Sequence, residues 1–144
     1  DAIDVNLIYQ YTKSQLFEEL RQAKEVHKEQ PFYINIPAKD VVSEAGNSKK
    51  NILVQGIIDL YYIDKNDNLV LIDFKTDYIS QEPNAKEKIL DKYKVQLEIY
   101  KTALEQALGR KVNKTALCLV KDEYLLLEQW CQKKSIGIKK KYWK

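Results

Sequence analysis

A chain of 144 residues that is 44% hydrophobic and 31% charged has room for one domain with a real core and is too apolar for a disordered segment. No apolar run approaches the roughly 20 residues a helix needs to cross a bilayer, and the opening DAIDVNLIYQ lacks the basic and apolar regions of a signal peptide. The net charge of +3 is a tail effect: six lysines after Gln129 (133, 134, 139, 140, 141 and 144) face no acid, so residues 1–128 come to −3 and make no electrostatic case for nucleic acid.

Residues 12–30, TKSQLFEELRQAKEVHKEQ, read as a helix. Thr12 and Gln15 fit a capping box, Pro31 marks the end, and Leu16, Leu20, Ala23 and His27 fall on one stripe. PFYINIP (31–37) reads as a short strand and residues 38–51 as an exposed loop rich in Gly, Ser, Asn and charge. ILVQGIIDLYYI (52–63) and NLVLIDFKT (68–76) are β-branched and aromatic runs around DKNDN, which predicts a hairpin. After a loop ending in Pro83 and Asn84, residues 85–108 predict a long helix with Gly109 as its C-cap. KVNKTALCLV (111–120) predicts another strand, and EYLLLEQW (123–130) suits strand or helix. The order predicts an α/β domain on a mixed sheet.

The hairpin carries charges where a buried sheet would not want them: Asp59, Asp73 and Lys75. A three-residue loop closed by Asp64 and Asn68 sets Asp59 opposite Asp73 on one face, with Lys75 two residues further along it. A one-residue slip would separate the acids. Two carboxylates at that spacing repel unless a cation lies between them, and hard Mg²⁺ or Mn²⁺ prefers such oxygens. A nearby lysine can hold a water or stabilise a charged phosphate. The same spacing also fits a solvated hairpin face with a cross-strand acid pair. A calcium loop over Asp64, Asn66 and Asn68 fails, because Leu69 and Lys75 stand where Gly and Glu are required. The two cysteines, Cys118 and Cys131, are too few for a four-Cys zinc or iron–sulfur site, and one histidine excludes a His-rich one. This cysteine usage points to a reducing, cytoplasmic setting.

Gly56-x-x-Asp59, then Asp73-Phe74-Lys75-Thr76, then Gln96 and Tyr100 on a helix together resemble the RecB-type branch of the PD-(D/E)XK nucleases. The segments EQPFYINIPA, ILVQGIIDLYY, LVLIDFKTD and KYKVQLEIYKTALEQALGRKV are similar to the C-terminal nuclease domain of AddAB/RexAB helicase–nuclease A subunits, over roughly residues 15–120. The resemblance implies a restriction-endonuclease-like core, with a mixed β-sheet flanked by helices. It implies a Mg²⁺-dependent (or Mn²⁺-dependent) deoxyribonuclease of the bacterial cytoplasm, an exonuclease serving double-strand-break repair by recombination, with no iron–sulfur cluster. Asp59, Asp73 and the Phe74 main-chain carbonyl would be metal ligands and Lys75 the catalytic lysine. Gln96 and Tyr100 would reach the active site and the DNA, with Tyr93 and Thr76 as further DNA contacts. The implied partners are single-stranded DNA, the N-terminal helicase region of the full-length protein and the B subunit, with no membrane.

On this reading residues 1–120 are the nuclease domain, and residues 121–144 are a C-terminal strand or helix and basic tail. The family carries a His on a helix upstream of the first strand. His27 lies too close to the strand for that position and is expected to pack or cap. The His-bearing helix is expected to precede Asp1, leaving a truncated domain. The alternative for such a fragment is a non-catalytic DNA-channel wall or subunit-docking module. The tail, CQKKSIGIKKKYWK, fits a natural extension, a DNA-contacting arm or a solvated basic end.

Overall fold

A computed structural model describes residues 3–40, 46 and 49–131. Two short helices open the chain, α1 (Val5–Lys13) and α2 (Gln15–Gln22). Each begins at a side-chain cap. Asp4 accepts from the amides of Asn6 and Leu7, and Ser14, in extended backbone, accepts from Phe17. The expected capping box at Thr12 is therefore not the start of a helix, and the Thr12 hydroxyl donates to the Tyr9 carbonyl inside α1.

The helix expected over 12–30 stops at Gln22, and Glu25–Pro37 is a 13-residue strand, β1. The Lys24 amide already donates to the Ile63 carbonyl, and β1 then pairs antiparallel with β2 (Asn51–Ile63) from Glu25↔Ile63 to Pro37↔Asn51. A full ladder of partners outweighs the modest helix preference of KEVHKEQ. His27 is thus a strand residue, not a helix end. Its ring stacks on Tyr61 at 4.6 Å, and its Nε2 lies 3.2 Å from Glu25. Leu16, Leu20 and Ala23 do form the apolar stripe, packing on the sheet.

β2 turns into β3 (Leu69–Lys75) through the loop that DKNDN predicts. The Asp64 carboxylate accepts from the amides of Asn66 and Asn68 and from the Asn68 side chain, while Asp67 takes a left-handed φ of 68°. These bonds occupy Asp64 within its own loop, which agrees with the rejection of a calcium site. Next, α3 (Ala85–Leu108), capped by Gly109 at φ 65°, carries the chain across to β4 (Lys114–Leu119), which lies parallel to β3. The ambiguous segment is a strand, β5 (Leu125–Trp130), antiparallel on the sheet edge. The five strands run in order β1-β2-β3-β4-β5. Residues 41–45 and 47–48 of the expected loop, and residues 132–144 of the basic tail, lie outside the described residues.

Each sheet face is covered. On one, Phe32, Ile34, Tyr61, Leu69 and Leu71 pack with Ala103 and Leu104 of α3. On the other, Leu60, Tyr62, Val70 and Ile72 pack with Leu16 of α2. β3 lies in the middle with Leu69 to Ile72 fully buried, which is why its sequence is a continuous apolar run. This sheet, mixed and flanked by helices, is the restriction-endonuclease-like core. Its central strand ends at the charged residues.

Candidate active site

The hairpin register is the one that the loop length implies, with Ile63↔Leu69 and Leu60↔Ile72 paired. The ladder, however, stops at Leu60↔Ile72, one step before the two acids. There Asp59 replaces the missing strand-to-strand bond with its side chain: Oδ2 accepts from the Phe74 amide at 2.9 Å. The two-residue alternation of β2 also breaks at this point. Ile58 packs on the α3 face with Tyr61, while Leu60 and Tyr62 pack on the opposite face. In β1, Glu29 sits across from the break with φ 50°, between the pairs Lys28↔Leu60 and Gln30↔Ile58. A non-glycine residue in the left-handed region is strained, and such strain gathers at functional sites.

Asp73 is only 3% exposed. Burial pushes its carboxyl up to about 6, with the neighbouring Asp59 acting in the same direction and Lys75 opposing. Lys75 Nζ stands 2.9 Å from Asp73 Oδ2, but off the direction of a hydrogen bond, so this buried oxygen has no hydrogen-bond partner. The ammonium instead donates to Gln96 Oε1 at 2.9 Å and lies 4.4 Å from the centroid of the Tyr93 ring. Gln96 Nε2 donates to the Tyr100 hydroxyl at 3.1 Å. One chain of contacts thus joins Asp73, Lys75, Gln96 and Tyr100, with Asp59 beside it. Gln96 and Tyr100 share a face of α3 because they are four residues apart. Thr76 is exposed just past β3, and the Phe74 ring packs on the α2 face.

Gly56 shapes the site from beneath. It pairs with Phe32, and a Cβ there would come within 2.9 Å of the Phe32 ring and 3.5 Å of Tyr100. Phe32 in turn meets the Tyr100 ring edge-on at 5.2 Å. Gly56→Ala is expected to cost about 1–3 kcal/mol by overpacking and to move Tyr100. A denaturation midpoint and the chemical shifts of the Tyr100 ring check this. A variant as stable as the parent would show that Phe32 yields freely.

Two contributors escaped the sequence reading. Glu29 was hidden inside an apparent helix, and only its backbone conformation places it opposite Asp59. Asp77 follows the D-x-K-T motif directly, but nothing in the spacing links it to Tyr93, whose hydroxyl donates to it at 2.7 Å. A cleft of about 730 Å³ opens beside Asp59 and Glu29, floored by Tyr11, Phe74 and Tyr124. Cys118 is buried, its thiol pushed up to about 12, so it is no nucleophile.

The profile of the PD-(D/E)XK nuclease superfamily matches residues 7–142. The chain belongs to this superfamily. The match runs past Val120, where the resemblance read from the sequence ends. Among its relatives, the A subunit of an ATP-dependent helicase/nuclease from Thermoanaerobacter sp. (strain X514) is 36% identical over 119 residues, which are 81% of this chain and 9% of that protein. The protein of the same name from Alkaliphilus metalliredigens (strain QYMF) is 38% identical over 119 residues, 82% of this chain and 10% of the relative. That of Clostridium novyi (strain NT) is 32% identical over 130 residues, 88% and 10%. The chain spans about a tenth of the length of the curated relatives it matches.

A divalent cation fits this nuclease fold at the acids. A buried carboxylate oxygen without a partner, a second carboxylate next to it and a raised pKa are what a missing positive charge produces. Among the described residues no three His, Cys, Asp or Glu side chains form a metal cluster. The donor set is therefore two carboxylates and at most main-chain oxygen.

Proposed function

We propose that this chain is a metal-dependent deoxyribonuclease, the part of a bacterial helicase–nuclease that degrades single-stranded DNA from an end during recombinational repair of double-strand breaks. The observation that carries this reading is the buried, unpartnered Asp73 oxygen facing Lys75 at the end of the central strand. Asp59, Asp73 and the Phe74 main-chain carbonyl would hold Mg²⁺ or Mn²⁺. Such an ion would supply Lewis acidity toward a phosphoryl oxygen and a more acidic water.

The chain's own residues do the rest. Lys75 presents a fixed ammonium where negative charge develops on the phosphate, and Gln96 and Asp73 hold it there. Tyr100, hydrogen-bonded to Gln96, positions the strand together with Tyr93 and Thr76. Residues 1–120 would form the catalytic body, with β5 completing the sheet. The name the relatives carry supports attachment to a helicase region and assembly with a second, B subunit, in the bacterial cytoplasm.

End-labelled single-stranded DNA with Mg²⁺ or Mn²⁺ tests the reading. Cutting is expected to stop in excess chelator. Asp59→Asn keeps an oxygen for the Phe74 amide but loses charge. It is expected to weaken cation binding by at least about tenfold, the order seen when even a supporting partner of a ligand is lost. Cutting that persists in chelator would sink the proposal. DNA binding without any cutting would favour the docking-module alternative.

A further inference from the structure

The Lys75 ammonium has one neighbour outside the proposed chemistry, the Tyr93 ring, and that ring is itself held. Its hydroxyl donates to Asp77 Oδ1 at 2.7 Å, and Asp77 Oδ2 accepts from Lys92 at 2.9 Å. The Tyr93 hydrogen bond first, and Lys92 second, hold the Asp77 carboxyl below its usual range. Tyr93 packs at the base of α3 beside Leu97 and Ile79, so its ring cannot swing without disturbing that cluster. A phenol that donates to a carboxylate has an electron-richer face, and an ammonium 4.4 Å from the ring centroid is attracted to that face.

We propose that Asp77 is a positioning residue: by fixing the Tyr93 ring it seats the Lys75 ammonium at the angle that DNA cleavage requires. The proposal rests on the reading of Lys75 as the catalytic lysine. Lys75 then has three restraints, the Asp73 carboxylate, the Gln96 amide oxygen and the Tyr93 face. Asp77 controls the third without touching the reacting atoms. Lys92 also lies over the ring, at 5.0 Å, but its side chain is 60% exposed and water screens it.

Two readouts test this, one independent of cutting. In lysine labelled with ¹³C at the ε position, the Lys75 methylene is expected to be shifted upfield by the Tyr93 ring. Asp77→Ala and Tyr93→Phe should each move that signal toward the exposed lysines. On single-stranded DNA each should lower kcat by on the order of 10- to 100-fold, the scale of a small misplacement, with KM little changed. The double variant should be no worse than the poorer single one, because both break one linkage. Lys92→Ala should change kcat by no more than a few-fold, as for an exposed pair. An unmoved Lys75 signal in Asp77→Ala, or additive losses in the double variant, would overturn the proposal. Full activity of Lys75→Ala would instead overturn the cleavage reading, and the methylene signal would still report whether Asp77 places the lysine.

Discussion

Asp73→Asn is expected to lower DNA cutting by roughly 10³-fold, the scale of losing a key electrostatic group in an active site, while making the protein more stable at pH 7. The two effects have one cause. Asp73 is buried, its carboxyl raised to about 6 by burial and by Asp59 despite Lys75. The folded state therefore holds the proton more tightly than the unfolded chain, whose carboxyl titrates near 3.8. The stability this adds is complete below the unfolded value and is lost as pH rises from about 4 through about 6. At pH 7 the folded protein carries an ionised carboxylate that it does not favour. Asparagine removes that charge. A gain of about 1–2 kcal/mol is expected, less than the roughly 3 kcal/mol a two-unit shift represents, because the asparagine NH₂ must share the site with the Lys75 ammonium. The gain should vanish below about pH 4, where the parent is protonated as well. Mn²⁺ should stabilise the parent and not the variant. Denaturation at pH 4 and pH 7, with and without Mn²⁺, measures all three. A variant less stable than the parent at pH 7, or still stabilised by Mn²⁺, would contradict the argument.

Lys114→Ala is expected to be the most destabilising of these substitutions, by about 3–5 kcal/mol, as when one member of a buried ion pair is removed. Lys114 lies inside the sheet edge with its side chain 5% exposed. It donates to Glu128 at 2.8 Å and to Glu19 at 3.2 Å, and packs over the Trp130 ring at 5.2 Å. Burial opposes its charge, but the Glu128 hydrogen bond and both carboxylates outweigh that and raise its pKa. Burial likewise pushes the Glu19 carboxyl up, yet the Tyr62 hydroxyl, Gln15 and Lys114 together bring it below its usual value. The Glu19 contribution is present above its unfolded value of 4.5 and is lost as pH falls below it; that of Lys114 is present below 10.5 and is lost as pH rises above it. In the variant two carboxylates face each other without the ammonium. The loss should be largest at neutral pH and shrink below about pH 4.5, where they take up protons. Urea midpoints at pH 4 and pH 7 check this, and an equal loss at both would assign the effect to lost packing alone.

The two charged clusters differ in how far the sequence disclosed them. Asp59, Asp73 and Lys75 stood out because they interrupt apolar runs, and a short polar loop relates the two strands residue by residue. The Lys114 cluster gathers residues from α2, β4 and β5, with 95 positions between Glu19 and Lys114. No local periodicity spans that distance. The start of β1 was lost for a related reason. EVHKEQ is a fair helix sequence, and only pairing with Tyr61, Tyr62 and Ile63 makes it a strand. Hidden in that misread stretch were Glu29 and the bend opposite Asp59.

By itself, then, the sequence determined what local chemistry governs: the hairpin and its register, the bounds of α3 with its glycine cap, the apolar central strand and the motif residues. Tertiary structure alone decided that β2 parts from β3 one step before the acids. It also decided that Asp59 turns to the Phe74 amide, that one oxygen of Asp73 is left buried without a partner, and that Asp77 holds the ring beneath Lys75. The physical reason is range. Turn and cap bonds join residues a few positions apart, whereas burial and the approach of β3 to α3 depend on where distant segments pack.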